Sequence, residues 1–314
     1  MSFSRDFSPG PASATNKYDR IRRYLRQEGA PDFRYRQVVQ AIFRDRIGRF
    51  SQMAALPRGL REDLASRFSD DVSGLSRVAS RHSEQAEKVL YGLPDGKRVE
   101  AVALNFQAGW ESFCISSQAG CGFGCSFCAT GRLGLLRTMS ADEITDQLLD
   151  FHLHGRTIDS VSFMGMGEAL SNLHTFEAIR LMMRPDLFAL SPRRITVSTI
   201  GIVPLMERLA RELPQVNLTL SLHSPFDEQR TAMMPINRKY PIAELMQALD
   251  HHVRTTGRKA YVAYVLTGGV NDTDEHARAL AHLMKARFRQ GRLLHVSLIR
   301  FNEAAAAPAA FARI

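Results

Sequence analysis

The chain has 314 residues, is 45% hydrophobic, and carries 41 Lys and Arg against 32 Asp and Glu, for a net charge of +9 and a pI near 9.7. That length buries a sizeable core, and no apolar run approaches the ~18 residues of a bilayer span, so no membrane-spanning segment is expected. The four cysteines follow no signal peptide, which argues against a disulfide framework and for a cytoplasmic protein, while the surplus of cations points to a polyanionic partner.

Residues 1–16 are rich in Ser, Pro and Gly and read as a disordered lead-in. Residues 17–80 read as a helical module that binds RNA, with helices over Tyr18–Gln27 and Tyr35–Ile47 and Asp32 placed to start the second. Arginines crowd this module, among them Arg20, Arg22, Arg23, Arg26, Arg34, Arg36, Arg44, Arg46, Arg49 and Arg58, interleaved with Tyr18, Tyr24, Phe33, Tyr35, Phe43 and Phe50. A solvated helix face is the plain alternative, but the mixture of guanidinium and aromatic groups favours RNA. Residues 81–108 read as a β-hairpin linker, Ala86–Tyr91 and Arg98–Phe106 around a turn at Pro94-Asp95-Gly96.

From residue 109 to 302 the pattern alternates strand and helix. Strands are expected at Ser112–Ser116, Ser160–Met164, Arg194–Thr199, Asn217–Leu222, Ala260–Leu266 and Leu294–Ile299. Helices are expected at Ala141–His154, His174–Met183, Val203–Arg211, Ile242–Thr255 and Asp274–Phe288, with Pro204, Pro241 and Asp274 as start residues. The fold class is therefore α/β, a partial (β/α)6 barrel with an N-terminal helical module and a β-hairpin, functional residues lying at the C-terminal strand ends. Residues 303–314 are Ala-rich and read as a frayed tail.

The loop after the first barrel strand holds Cys121, Cys125 and Cys128 in the spacing C-x3-C-x2-C. Three thiolates from one Gly-rich loop suit a [4Fe–4S] cubane and leave one iron open for a cosubstrate. Adding Cys114 would give a four-thiolate zinc site, although zinc sites usually pair two short knuckles across a longer gap. Other strand ends carry Gly167 and Glu168, then Ser198, then Ser221, Leu222 and His223, and finally Asn302. Each alone reads as a turn or cap; their common rim favours one shared ligand. No Gly-rich loop opens a nucleotide-binding helix, so a Rossmann-type methyltransferase is not expected. Glu100 is a lone acid in the hairpin, and Cys114 is a thiol close in sequence to the cluster loop.

The runs Gly109–Gln118, Cys128–Gly131, Phe163–Leu170, Leu190–Gly201 and Leu220–Pro225 resemble the RlmN/Cfr radical S-adenosylmethionine (SAM) RNA methyltransferases, on the Cfr side, and the likeness runs from Tyr18 to Asn302. The resemblance implies methylation of an adenine of 23S rRNA at C8 in the peptidyl-transferase centre, with antibiotic resistance as its consequence. It implies a [4Fe–4S] cluster on Cys121, Cys125 and Cys128, and SAM held by Gly167, Glu168, Ser198, Ser221, Leu222, His223 and Asn302. Glu100 would be the proton acceptor and Cys114 the resolving cysteine. An electron donor such as flavodoxin and a monomeric state are further expectations. Adenine C8 is a poor nucleophile, which is why the cofactor must supply radical chemistry.

The family also uses a methyl-carrying cysteine beyond the sixth strand, and no cysteine follows Cys128 here. SAM cleavage to 5′-deoxyadenosine without methylation of 23S rRNA is therefore the expectation for these 314 residues. The alternatives are a radical-SAM enzyme acting on a nucleoside or natural product, and a non-catalytic RNA-binding homologue.

Overall fold

Local chemistry sets the helix boundaries in the computed structural model, which describes residues 16–106, 108–287 and 293–302. The expected tail and nearly all of the expected lead-in, together with Phe288, lie outside those residues. Asn16 caps α1 (Lys17–Gln27), its side chain accepting the Asp19 backbone N–H at 3.0 Å. The next helices are α2 (Phe33–Phe43) and α3 (Arg58–Phe68). Asp32 precedes α2 without capping it and takes Arg26 Nε at 3.3 Å instead. The second helix, expected to reach Ile47, ends at Phe43, and Arg46 then turns left-handed with φ 56°.

Four strands follow: β1 (Ser76–His82), β2 (Ala86–Gly92), β3 (Arg98–Asn105) and β4 (Glu111–Cys114). Next come β5 (Gln118–Gly120), the short α4 (Ala129–Arg132) and β6 (Leu135–Thr138). A capping box starts α5 (Ala141–Leu153): Ser140 Oγ accepts from Glu143 N–H, and the Glu143 carboxylate accepts from Ser140 N–H. The chain continues through β7 (Ser160–Phe163), α6 (His174–Met183), β8 (Ile195–Thr199), α7 (Val203–Glu212) and β9 (Asn217–Ser221). It then forms α8 (Asp227–Met233), α9 (Ile242–Thr256), β10 (Ala260–Leu266), α10 (Asp274–Arg287) and β11 (Leu294–Arg300).

These elements pack as two units, and the division does not fall at residue 108 as the sequence suggested. The first unit comprises residues up to 115 with 139–160 and 173–190; the second comprises 116–138, 161–172 and the chain from 191 onward. Helices α5 and α6 thus belong to the first unit, with the N-terminal helices.

In the first unit β1, β2, β3 and β4 form an antiparallel sheet in chain order. Val89, Tyr91, Val99, Ala101, Ala103 and Phe113 are buried, and Tyr91 and Phe113 meet Phe151 of α5 at ring distances of 6.3 and 5.1 Å. Strand β1 was not anticipated, because its mostly exposed edge shows no alternation. The strand expected at Ser112–Ser116 is β4, in antiparallel register with β3. Lys17 forms a buried ion pair with Asp146 and donates to the Val72 carbonyl. Several exposed arginines of the helical module have intramolecular partners: Arg22 lies over Tyr35, Arg67 over Tyr24, and Arg20 meets Asp142 at 3.1 Å. Arg36 and Arg44 are exposed and enter no ion pair among the described residues.

In the second unit β7, β8, β9, β10 and β11 pair in parallel, in that order. Buried Val161, Ile195, Val197, Leu218, Leu220 and Val262 fill its core. Parallel strands all end on the same side, so the loops that follow them collect there. That geometry places the candidate site.

Candidate active site

The cysteine loop leaves β5 through Gly120, whose φ of +76° and close neighbour suit only glycine: a Cβ would stand 2.0 Å from the Gly134 carbonyl oxygen. Cys121 N–H then donates to that same carbonyl at 2.9 Å. Ser126 N–H donates to Met233 O at 2.9 Å, tying the loop to α8. Phe127 sets its ring edge against His223, 4.9 Å between centroids.

Burial raises the Cys121 thiol to about 11 and Cys125 to about 12. The backbone N–H of Phe123 and of Glu168 favours the Cys121 thiolate, and the charge of Arg230 favours that of Cys125. A site with this donor set holds its thiols protonated until a cation draws them out as thiolates. Among the described residues no three His, Cys, Asp or Glu side chains converge on a point where a single metal ion would sit. A cubane instead takes each thiolate on a separate iron, so these three cysteines fit a [4Fe–4S] cluster better than zinc.

The Gly165–Glu168 turn lies against the cysteine loop. Ser117 N–H donates to Met166 O at 2.9 Å, Met166 N–H to Ser116 Oγ at 2.8 Å, and Glu168 N–H to Gln118 Oε1 at 2.9 Å. Gly167 has φ +98°, and a Cβ there would meet Gln118 Cβ at 2.5 Å, so this close approach also requires glycine. Glu168 is buried, and burial raises its pKa to about 7. Its carboxylate accepts from Leu170 N–H at 3.2 Å and Ile200 N–H at 2.9 Å, and the Thr199 side chain favours its ionised form. A carboxylate has about four lone-pair sites, so it has acceptor capacity beyond these bonds.

At the ends of β8 and β9, Ser198 Oγ and Ser221 Oγ stand 3.3 Å apart. Leu222 is fully buried and its N–H donates to Ala263 O at 3.0 Å, so its side chain belongs to the core. His223 is held at φ 59°, and its Nδ1 accepts from Val265 N–H at 3.1 Å, which leaves the ring proton on Nε2. Burial, with the Arg230 charge, lowers its pKa to about 3, so the imidazole is neutral. Asn302 is exposed just beyond β11.

The sequence did not single out Arg230, the largest fully buried side chain. From α8 its guanidinium donates to Leu222 O at 3.1 Å, Ile200 O at 2.8 Å, Ser221 O at 3.1 Å and Asn237 Oδ1 at 2.7 Å. It clamps the ends of β8 and β9, and its charge favours the Cys125 thiolate. Gln118 was also missed; it bridges the Gly165–Glu168 turn and Ser171 Oγ, the latter at 3.1 Å. In a sequence a buried arginine looks like any other, and only its place just after Ser221-Leu222-His223 hinted at a role.

Glu100 and Cys114 lie in the first unit. They project from one face of the antiparallel sheet, Cys114 directly opposite Val102. Lys88 Nζ meets the Glu100 carboxylate at 2.9 Å.

Residues 115–284 match the model of the Radical SAM superfamily. The chain is 49% identical over 299 residues to the ribosomal RNA large subunit methyltransferase Cfr of Bacillus velezensis, covering 95% of the chain and 86% of that protein. It is 53% identical over 292 residues to the Staphylococcus aureus protein of the same name, covering 93% and 84%. Its fold superposes on the crystal structure of a radical SAM methyltransferase from Sphaerobacter thermophilus with a TM-score of 0.87, at 38% identity and covering 95% and 88% of the two chains. The chain is thus an α/β enzyme of the Radical SAM superfamily and, within it, belongs to the family of ribosomal RNA large subunit methyltransferases named Cfr.

Proposed function

We propose that this chain cleaves SAM reductively and that an adenine of large-subunit rRNA, at C8, is the target its relatives' chemistry addresses; no cysteine follows Cys128 in these 314 residues to carry a methyl group, so SAM cleavage is the step that the residues present supply. The observation that carries the reading is the contact of the segment leading into the cysteine loop with the Gly165–Glu168 turn: Ser117 N–H donates to Met166 O at 2.9 Å and Glu168 N–H to Gln118 Oε1 at 2.9 Å. A cluster held by Cys121, Cys125 and Cys128 would supply an electron to SAM, and Gly167 and Glu168 on this turn would hold the amino-acid end of SAM.

A [4Fe–4S] cluster, when bound, supplies the electron that breaks the sulfonium bond. The residues of the chain do the rest. Cys121, Cys125 and Cys128 would hold the cluster. Gly167 lets the backbone pass close to the ligand, and the remaining acceptor capacity of Glu168 suits an ammonium group. Ser198 and Ser221 offer hydroxyls, neutral His223 offers an Nε2–H donor, and Leu222 supports the rim through packing. Asn302 is assigned to the same ligand by resemblance, as are Glu100 as proton acceptor and Cys114 as resolving thiol. A low-potential donor of the flavodoxin kind, a monomeric state and a cytoplasmic setting complete the proposal; among the described residues no helix is long and apolar enough to cross a membrane.

The test is anaerobic incubation with SAM, reductant and a 23S rRNA fragment, followed by nuclease digestion and mass spectrometry. 8-Methyladenosine marks C8 as the target. Its absence beside continued 5′-deoxyadenosine formation would point to a SAM-cleaving enzyme with another acceptor.

A further inference from the structure

An antiparallel sheet packed on a helix through one face ordinarily turns a polar face outward. The sheet of the first unit departs from this rule. Its inner face buries Val89, Tyr91, Val99 and Phe113 completely, yet its outer face also carries exposed Leu104, Phe106 and Trp110.

The register fixes which residues share that outer face. One row crosses all four strands as Arg81, Lys88, Val102 and Cys114, each directly opposite the next. A second row runs Ala79, Leu90 and Glu100, and a third runs Ala86, Leu104 and Ser112. At the tip of the β3–β4 hairpin Phe106 N–H donates to Trp110 O at 2.9 Å, which continues the pairing by one more step. Leu104 is 36% exposed, Trp110 38% and Phe106 53%. Two large rings and several aliphatic groups therefore face outward beside two cations.

The charges say what such a face would take. Arg81 is exposed and enters no ion pair or hydrogen bond among the described residues. Lys88 is half-exposed and pairs with Glu100, the one acid in these rows. Trp110 Nε1 donates to Ser160 Oγ at 3.2 Å, which fixes the indole by its edge. Aromatic rings with cations alongside are what extended single strands require, bases stacking on the rings while phosphates meet the charges.

We propose that the outer face of β1–β4 is a stacking platform for single-stranded RNA, on which Phe106 and Trp110 take bases while Arg81 and Lys88 take phosphates. The inference rests on the rRNA reading above and specifies where the RNA is gripped. It assigns the grip to the sheet, whose exposed rings offer the stacking surface, whereas Arg20, Arg22 and Arg67 of the helical module already have an acid or a ring as partner. It also sets the RNA on the face that carries Glu100 and Cys114.

Equilibrium binding of a single-stranded RNA oligonucleotide containing 2-aminopurine tests this on the full chain. Phe106→Ala and Trp110→Ala each weaken binding roughly ten-fold and relieve quenching of the probe, as loss of a base–aromatic stack does. Phe106→Tyr and Trp110→Phe retain both signals, which separates stacking from damage to the hairpin. Arg81→Met and Lys88→Met each lower the slope of log affinity against log salt by about 0.7, the value for one phosphate on a single strand. Ring removal has no effect on binding of an abasic strand. If the wild-type chain binds RNA and the alanine variants bind it as tightly, the platform is overturned while the proposed activity stands. If the wild-type chain binds no RNA, both are overturned.

Discussion

His252 shows how one residue couples fold to pH. It sits on α9 with 1% exposure, and neither ring nitrogen has a hydrogen-bond partner among the described residues. Burial, then the charges of His251 and Arg258, lower its pKa to about 4. The unfolded chain binds this proton below about 6.5 and the native chain only below about 4, so the contribution to stability is full above pH 6.5 and is lost as pH falls toward 4. The shift corresponds to about 3 kcal/mol. His252→Leu removes the unpaired nitrogens, and the difference in denaturant midpoint between pH 7 and pH 4.5 is expected to shrink; an unchanged difference would contradict the assignment. At this scale legibility followed chemistry. The spacing of Cys121, Cys125 and Cys128 was legible as a motif, and the structure gathers all three on one loop between β5 and α4. Arg230 and Gln118 were not legible, since burial decides their roles and one sequence does not show burial.

The elements most easily read were the buried parallel strands and the longer helices. β10 was expected at Ala260–Leu266 and α6 at His174–Met183, and both occur with those bounds. Continuous apolar runs and helical periodicity mark such segments. β5 and β6 are too short for a pattern, and α8 is a seven-residue helix of mostly polar residues, Asp227–Met233. Yet α8 carries the clamp at the rim. Arg230→Met leaves the carbonyls of Ile200, Ser221 and Leu222 without this donor, at a cost of roughly 3 kcal/mol or more. Arg230→Lys keeps the charge and is expected to recover part of it. Denaturant titration reads both variants, and a Met variant as stable as wild type would show that the clamp contributes nothing.

For the molecule as a whole, the strand–helix alternation indicated a large α/β protein, and the surplus of cations an anionic partner. The division into two units was less visible, because residues 139–160 and 173–190 join the N-terminal elements across a long separation in sequence. Helical periodicity shows that α5 and α6 are helices without showing which sheet they cover. The central claim is that the three-cysteine loop and the strand ends of the second unit form a working SAM-cleaving site. Its most direct test is the yield of 5′-deoxyadenosine from SAM by the anaerobically reconstituted chain under a strong reductant. The wild-type chain is expected to form 5′-deoxyadenosine, and Cys121→Ala, Cys125→Ala and Cys128→Ala are each expected to abolish it; a wild-type chain that carries a full cluster and forms none would contradict the claim.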